Sequence, residues 1–151
     1  MSVVSASNDQ SRAALHEMIH RLSPDDLSAV VDGAWPVSAV LGHLAFWDGY
    51  LENRWRQARG QGLLVPVLDV TLTTDVLNDT LAPILRGVTG VVACDLALAA
   101  AESIDSFVAA LPEECLEAAH HERLGWVIDR SIHRMEHLRA IEQGLTLAQS
   151  T

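Results

Sequence analysis

The chain has 151 residues, 49% of them hydrophobic, so it is long enough to bury one sizeable core. Twenty acidic residues against ten basic ones give a formal net charge of −10, which argues against binding to nucleic acid or to an anionic membrane surface. No apolar run is long enough to span a membrane, and the N-terminal segment lacks the basic start and apolar run of a secretion signal.

The number and spacing of the two cysteines bear on the cellular compartment of the protein. Cys94 and Cys115 are too far apart in the sequence to form a redox or zinc motif. We therefore predict two reduced and mostly buried thiols in a cytoplasmic protein.

The first predicted helix covers residues 8–22 and carries apolar side chains at the spacing of one buried stripe. Ser23 is expected to cap a short helical turn after it, and Gly33 to end that segment. Within the first helix, His16 to His20 reads H-E-x-x-H, the zinc-binding signature of metalloproteases. Both histidines point away from the buried stripe, and no third ligand or edge strand accompanies them. We therefore interpret them as exposed helical histidines.

The second predicted helix is the best marked in the chain. It begins at Pro36, where a helix loses no hydrogen bond to proline, and runs to Arg59. Residues 63–70 are expected to be extended or irregular. Thr74 then opens a shorter amphipathic helix, which Pro83 is expected to kink or end. The buried face of the second helix is predicted to contain Val37, Val40, Leu44, Trp47, Leu51 and Trp55.

Two more helices complete the prediction. One spans residues 91–111, and the last spans residues 122–143 with Gly144 as its C-terminal cap and residues 145–151 as a frayed tail. Four long helices joined by modest loops predict an all-α protein without strands, a four-helix bundle that forms one domain over residues 1–151. The inner stripe of the third long helix is predicted to contain Leu96, Ala100, Ile104, Phe107 and Leu111.

Three further histidines have the spacing of a metal site. His133 and His137 lie one turn apart on the last helix, opposite its densest apolar stripe, on a face that is either solvated or the wall of a pocket. His43 lies at the border of the buried stripe of the second helix, where a lone histidine is more often a core residue than a ligand. One histidine and an i, i+4 pair nevertheless suffice for a three-nitrogen site with open coordination positions. His120 and His121, just before the last helix, are alternative ligands.

Two segments resemble the signatures of a known family. Residues 35–48, with W-P-V, L-G-H-L and W-D, look like the second helix of the DinB/YfiT-like superfamily, and residues 133–138, H-R-M-E-H-L, look like its closing element. This resemblance implies a four-helix bundle, often a homodimer, that binds one divalent zinc, nickel or iron ion through three histidines. Those histidines are His43, His133 and His137.

The resemblance also implies a range of activities. Relatives include thiol-dependent S-transferases and a mycothiol-dependent isomerase, and many members have no known activity. Some members carry a histidine at the position that Glu136 occupies here. This difference leaves the ligand set whole, but it removes the basis for transferring a proton-transfer role to that position.

These observations lead to three hypotheses of function. The first is a metal-dependent enzyme acting on a small molecule, either a transferase that uses a low-molecular-weight thiol or a hydrolase. A metal held by three neutral nitrogens can ionise a thiol or a water molecule bound to it. The second is a non-catalytic bundle that binds a metal or a small ligand, and the third is a helical protein whose histidines are incidental. The sequence assigns no catalytic residue and no metal identity, since nitrogen ligands suit several metals.

Several other side chains are candidates for supporting roles. Asp129 lies one turn before His133 and either orients its free ring nitrogen or is an exposed acid. Asp48 lies near the apolar stripe of the second helix, an unusual place for a carboxylate, so we expect it to be paired inside the protein. Trp47, Tyr50 and Trp126 either wall a pocket or, as is usual for aromatic residues at helical spacing, belong to the core.

Overall fold

The computed structural model describes residues 3–32, 35–68 and 74–148, and most of these residues are helical. The all-α prediction is therefore confirmed for the described part of the chain, with the addition of one short pair of strands. None of the described helices is both long and apolar enough to cross a membrane. The α-helices are α1 (Val3–Arg21), α2 (Pro24–Ser28), α3 (Val37–Gly60), α4 (Thr74–Leu85), α5 (Gly90–Ala109), α6 (Glu113–His121) and α7 (Ser131–Ala148).

A short antiparallel pair of strands lies between α2 and α3. Strand β1 (Val30–Asp32) pairs with β2 (Trp35–Pro36), although no strand was predicted; two adjacent β-branched valines in β1 favour an extended backbone. Gly33, predicted to end this segment, lies outside the described residues. The prediction for Ser23 is confirmed, because its hydroxyl accepts a hydrogen bond from the N–H of Asp26 at 3.1 Å and caps α2.

Helices α3 and α5 pack along each other and run in the same direction. The N-terminal halves of both helices belong to one apolar cluster, and their C-terminal halves belong to a second. Every residue of the predicted stripe of α3 is buried. In the predicted stripe of α5, Ile104 is buried but Leu96 is 48% exposed, so that prediction was wrong in part.

Half of the buried residues of α5 are alanine, and this explains the error. Alanine carries a weak hydrophobic signal, so the larger residues beside it were taken for the inner stripe. Short side chains on this face allow α3 and α5 to approach closely. The buried residues of α5 are Ala93, Ala97, Ala101, Ile104, Asp105 and Val108.

The last predicted helix, residues 122–143, begins only at Ser131 in the structure, and α6 before it was not predicted. Residues 122–130 separate α6 from α7 and include a 3-10 turn at Gly125–Val127. Helix α6 ends in a Schellman motif, in which Arg123 has a φ of 59° and the N–H of Leu124 donates to the carbonyl of Ala119 at 2.8 Å. Glycine usually occupies this left-handed position, and because an arginine occupies it here, the end of α6 has no glycine signal in the sequence.

Gly144 lies inside α7 and not at its end. The helix continues to Ala148, so the predicted cap and the start of the predicted tail are wrong, while residues 149–151 lie outside the described part of the chain. A Cβ atom at Gly144 would lie 2.5 Å from the Cβ of Val31 in β1. The glycine is therefore required for close packing of α7 against the strand, and not for ending the helix.

Helix α4 packs against α3 and brings polar residues towards it. Pro83 lies inside α4, and the helix ends two residues later at Leu85, as expected for a residue without an N–H to donate. Asn78, in the second turn of α4, lies beside Trp47 of α3.

Candidate metal centre

Three imidazole rings from α3 and α7 converge at one point. His133 and His137 lie on α7, and His43 faces them from α3. The Nε2 atoms of His43 and His133 are 3.3 Å apart, and one nitrogen of each of the three rings lies within 4.8 Å of the others. Neighbouring nitrogen ligands of a tetrahedral zinc ion are about 3.3 Å apart, given bonds of about 2.0–2.1 Å. The three histidines that the sequence singled out therefore lie close enough together that they could hold a metal ion.

Two tryptophans fix the ring of His43 at the inner end of this site. The residue is 6% exposed, and the centroids of Trp35 and Trp47 lie 5.7 Å and 6.3 Å from the centroid of its ring. Its Nδ1 is buried, and none of the described residues forms a hydrogen bond with it. Nε2 faces His133 instead, so it is the nitrogen of this ring that can serve a shared ion.

Burial keeps two of the three rings neutral. Desolvation, together with the positive charges that His137 and Arg130 can present, lowers the pKa of His43 from 6.5 to about 4. Desolvation is again the largest cause for His133, followed by Arg130 and the two other histidines, and lowers its pKa from 6.5 to about 2. Both rings are therefore uncharged at pH 7, so a cation that binds there does not meet a positively charged imidazolium.

Arg130 determines where the proton of His133 lies. Nη2 of Arg130 is 3.0 Å from Nδ1 of His133. A guanidinium only donates hydrogen bonds, so Nδ1 accepts, and a neutral His133 carries its proton on Nε2. That proton is directed at Nε2 of His43, 3.3 Å away, which accepts it. Without an ion the two rings are therefore joined by a hydrogen bond, and a cation that binds Nε2 of His133 must displace this proton.

A buried layer of ion pairs lies behind the site. Arg134 is 0% exposed and donates to the carboxylates of Asp48 and Asp105 at 2.8 to 3.0 Å. Arg130 donates to the other oxygen of Asp48 at 2.8 Å. Burial opposes the charge of Arg134, but the carboxylates of Asp105 and Asp48 outweigh it and raise the pKa of Arg134 above its ordinary value. The two carboxylates pair with both guanidiniums, and Arg130 is thereby held against His133.

Only one member of this layer was predicted from the sequence. Asp48 was expected to be paired inside the protein, and this is confirmed. Arg130 and Arg134 were missed because arginines on a helix are usually exposed. The available signal was their spacing: each lies three residues before a histidine of the candidate site, Arg130 before His133 and Arg134 before His137.

An open cavity of about 600 Å³ leads to the three histidines. Trp47, Trp126 and Ile132 give it an apolar wall, and Ile132 is 73% exposed. Asn78 reaches the cavity from α4, and its Oδ1 accepts a hydrogen bond from Nε1 of Trp47 at 3.1 Å. An indole N–H can only donate, so the amide oxygen must face Trp47, and the NH₂ group of Asn78 is left for a ligand. Glu136, between the two histidines of α7, adds a carboxylate.

The remaining candidates are not part of the histidine group. The carboxylate of Asp129 accepts hydrogen bonds from the N–H and the hydroxyl of Ser131 at 3.0 Å and 2.5 Å, so it holds the start of α7. The partner of Nδ1 of His133 is Arg130, and the orienting role suggested for Asp129 is wrong. His120 lines the cavity and His121 is exposed, but neither belongs to the potential ligand group found in the described residues.

The H-E-x-x-H string of α1 has no metal-site partner. His16 and His20 are both exposed, with ring centroids 4.4 Å apart, and no third ligand joins them among the described residues. The interpretation as two exposed helical histidines is confirmed.

Comparisons with protein-family models, curated proteins and solved structures found no match to this chain. The case for a metal site therefore depends on the geometry of the chain's own residues.

Proposed function

We propose that this protein is a divalent-metal-dependent enzyme of the DinB/YfiT-like kind, a four-helix bundle that binds one zinc, nickel or iron ion through His43, His133 and His137. The observation that carries the proposal is the convergence of three imidazoles, two of them neutral through burial, at the end of an open cavity. Three nitrogen ligands leave at least one coordination position for a substrate, which is the arrangement of catalytic zinc sites.

The surroundings of the histidines favour a catalytic role over a structural one. Structural metal sites typically hold together folds that lack a sufficient core. Here α3 and α7 are already joined by the buried ion pairs between Asp48 and the two arginines, and apolar clusters lie on both sides of that layer. An ion is therefore not needed to connect these helices, and its open side faces a cavity large enough for a small molecule.

The proposed reaction is the transfer of a low-molecular-weight thiol to an electrophile, and hydrolysis is the nearest variant. A divalent cation held by the histidines would supply Lewis-acid polarisation and positive charge at the reacting group. Trp126 and Ile132 bind the apolar part of the substrate and exclude water from it. The NH₂ group of Asn78 donates to a substrate acceptor atom, and Glu136 is the carboxylate in position to accept a proton from the substrate.

The metal site is tested by measuring metal content. Wild-type protein, loaded with zinc, nickel or iron and then dialysed, is expected to retain about one ion per chain, and His43→Ala is expected to lose it. The control is a variant with His16→Ala and His20→Ala, because this exposed pair has the same spacing as His133 and His137. Equal metal content in wild type and His43→Ala would show that the three-histidine site is wrong.

Catalysis is tested separately from binding. A panel of small thiols with an aromatic chloride as electrophile is expected to show turnover that depends on added metal and disappears in His137→Ala. A protein that retains one ion per chain but is inert across the panel, and against ester substrates, would instead be a non-catalytic metal-binding bundle.

We also propose that the protein forms a homodimer. Ile84 of α4, and Val92 and Leu96 of α5, are large apolar residues with exposures of 63%, 48% and 48%, and contact with a second copy of the chain would cover such residues. Sedimentation equilibrium is expected to give twice the mass of one chain, and Leu96→Glu is expected to give the mass of a single chain.

A further inference from the structure

A second cavity, of about 420 Å³, lies where α3 and α5 begin. Pro36 and Ser38 line it from the start of α3, and Thr89 and Gly90 line it from the start of α5. The histidines of the candidate metal centre do not line it. It is therefore a separate site from the one proposed for catalysis.

The two helices direct the same partial charge at this cavity. Val40 and Ala97 share the first apolar cluster, and Trp55 and Ile104 share the second, so the two axes are parallel. The helices have 24 and 20 residues, long enough for full macrodipoles. Two partially positive helix ends side by side repel each other unless negative charge lies near both.

The chain supplies no such negative charge from within these helices. Neither α3 nor α5 has an acidic residue in its first turn, and neither has a side-chain hydrogen bond at its N-cap, although the chain has twenty acidic residues. The first N–H groups of an α-helix have no carbonyl partner within the helix. Val37, the first residue of α3, already donates its N–H to the carbonyl of Ala29 at 3.0 Å, so the donors left for a ligand are the N–H groups that follow it in α3 and those that begin α5.

Three side chains add donors of the same kind. Ser38 is only 7% exposed, lines the cavity, and its hydroxyl has no hydrogen-bond partner within the described part of the chain. Arg86 lines the cavity and makes no ion pair with any described residue. Thr89, the N-cap of α5, does not use its hydroxyl to cap the helix. Ser38 is buried as a residue, but its hydroxyl is not among the fully buried atoms of the described residues, so this donor is accessible from the cavity.

We propose that this cavity binds a phosphate group, either inorganic phosphate or the phosphate of a small monoester. Backbone N–H groups at helix N-termini with an arginine and hydroxyl donors are the usual means of binding this anion. A tetrahedral dianion has enough oxygen atoms to accept hydrogen bonds from both helices, Ser38 and Arg86 together. The two helix ends then no longer repel each other, because the dianion lies between them.

Binding is tested by isothermal titration calorimetry on the full chain after treatment with EDTA, at constant ionic strength. Inorganic phosphate and phenyl phosphate are the probes, and chloride is the ionic control. Arg86→Gln is expected to weaken phosphate binding about tenfold. Ser38→Asp places a carboxylate in the cavity and is expected to abolish phosphate binding.

Two controls separate this site from other sources of phosphate binding. Arg139→Gln removes another exposed arginine, one that does not line the cavity, and His137→Ala removes a ligand of the candidate metal centre. Both are expected to bind phosphate within twofold of wild type. If Ser38→Asp does not fold, Arg86→Gln decides the question, because its side chain is exposed.

The outcomes are distinct. Tighter binding of phenyl phosphate than of inorganic phosphate, with loss in Arg86→Gln, supports a monoester ligand, and equal binding with the same loss supports inorganic phosphate. No binding by wild type, or an equal effect of Arg86→Gln and Arg139→Gln, would overturn the proposal. Neither result depends on whether the protein is a metal-dependent enzyme.

Discussion

His43 is the residue on which the candidate metal centre most depends, because it is the member of the histidine group that lies on α3. Its burial has a measurable consequence for stability. The pKa of His43 is about 4 in the folded protein and near 6.5 in an unfolded chain. Between these values the unfolded state binds a proton that the folded state does not, so acid favours unfolding.

We therefore expect the free energy of unfolding of the metal-free protein to fall as the pH decreases from about 6.5 to about 4. His43→Gln removes this titrating group and should show a smaller fall over the same range. Urea unfolding in EDTA at several pH values measures the effect. His16→Gln, at an exposed position, serves as the control and should follow the wild type. Identical pH dependence in wild type and His43→Gln would contradict the burial argument.

Asn78 is the second residue with a specific expected effect. Its amide is oriented by Trp47, so its NH₂ group is fixed without help from a substrate. If the proposed enzyme uses this donor, Asn78→Ala should lower kcat/KM by about tenfold or more and leave the metal content unchanged. Trp47→Phe should lower it less, because the amide remains but is free to rotate. Asn53→Ala, on an exposed part of α3, should have no effect; a similar loss there would remove Asn78 from the mechanism.

At the scale of single elements, helix ends were harder to predict than helices. The start of α3 at Pro36 and the cap at Ser23 have local signals in the sequence, and both predictions held. The break after α6 depends on an arginine in a left-handed conformation, and nothing local distinguishes Arg123 from other arginines. Gly144 was misinterpreted because a glycine that ends a helix and one that allows a close contact look the same in a sequence.

The packing role of Gly144 against Val31 can be tested by substitution. Gly144→Ala places a methyl group 2.5 Å from the Cβ of Val31, so it should lower the free energy of unfolding by about 1–3 kcal/mol. Gly49→Ala is the matched control, since Gly49 lies inside α3 with no atom within 4 Å of its would-be Cβ. That change should stabilise the protein by about 0.5–1 kcal/mol. Thermal or urea unfolding of both variants measures the difference, and a stabilising Gly144→Ala would contradict the packing role.

At the scale of the whole molecule, a polar layer separates the two apolar clusters. It joins α3, α5 and α7 through Asp48, Asp105, Arg130 and Arg134. The three histidines could be predicted as a group, because His133 and His137 lie one turn apart on one helix and His43 lies within the recognisable segment 35–48. The layer could not, because the pairing of buried arginines is decided by tertiary contacts between distant parts of the chain.

Removing one charge from this layer should be costly. Asp48→Asn leaves Arg130 and Arg134 buried with one carboxylate between them, and it should lower the free energy of unfolding by about 3–5 kcal/mol. Asp9→Asn affects an ion pair with Arg12 that is largely exposed and should cost less than about 1 kcal/mol. Urea unfolding at pH 7 compares the two. Equal and small effects would show that the layer contributes little to stability.

The parallel arrangement of α3 and α5 has a further consequence. A chain that leaves the end of α3 must travel back along its whole length, about 36 Å, before α5 can begin. Residues 61–89 make this return, and α4 is part of it. The segment that connects α3 to α5 therefore also carries Asn78, whose amide lines the same cavity as the three histidines. Changes in the sequence or length of this segment would alter the walls of the cavity, while the two helices that carry the three histidines stay as they are.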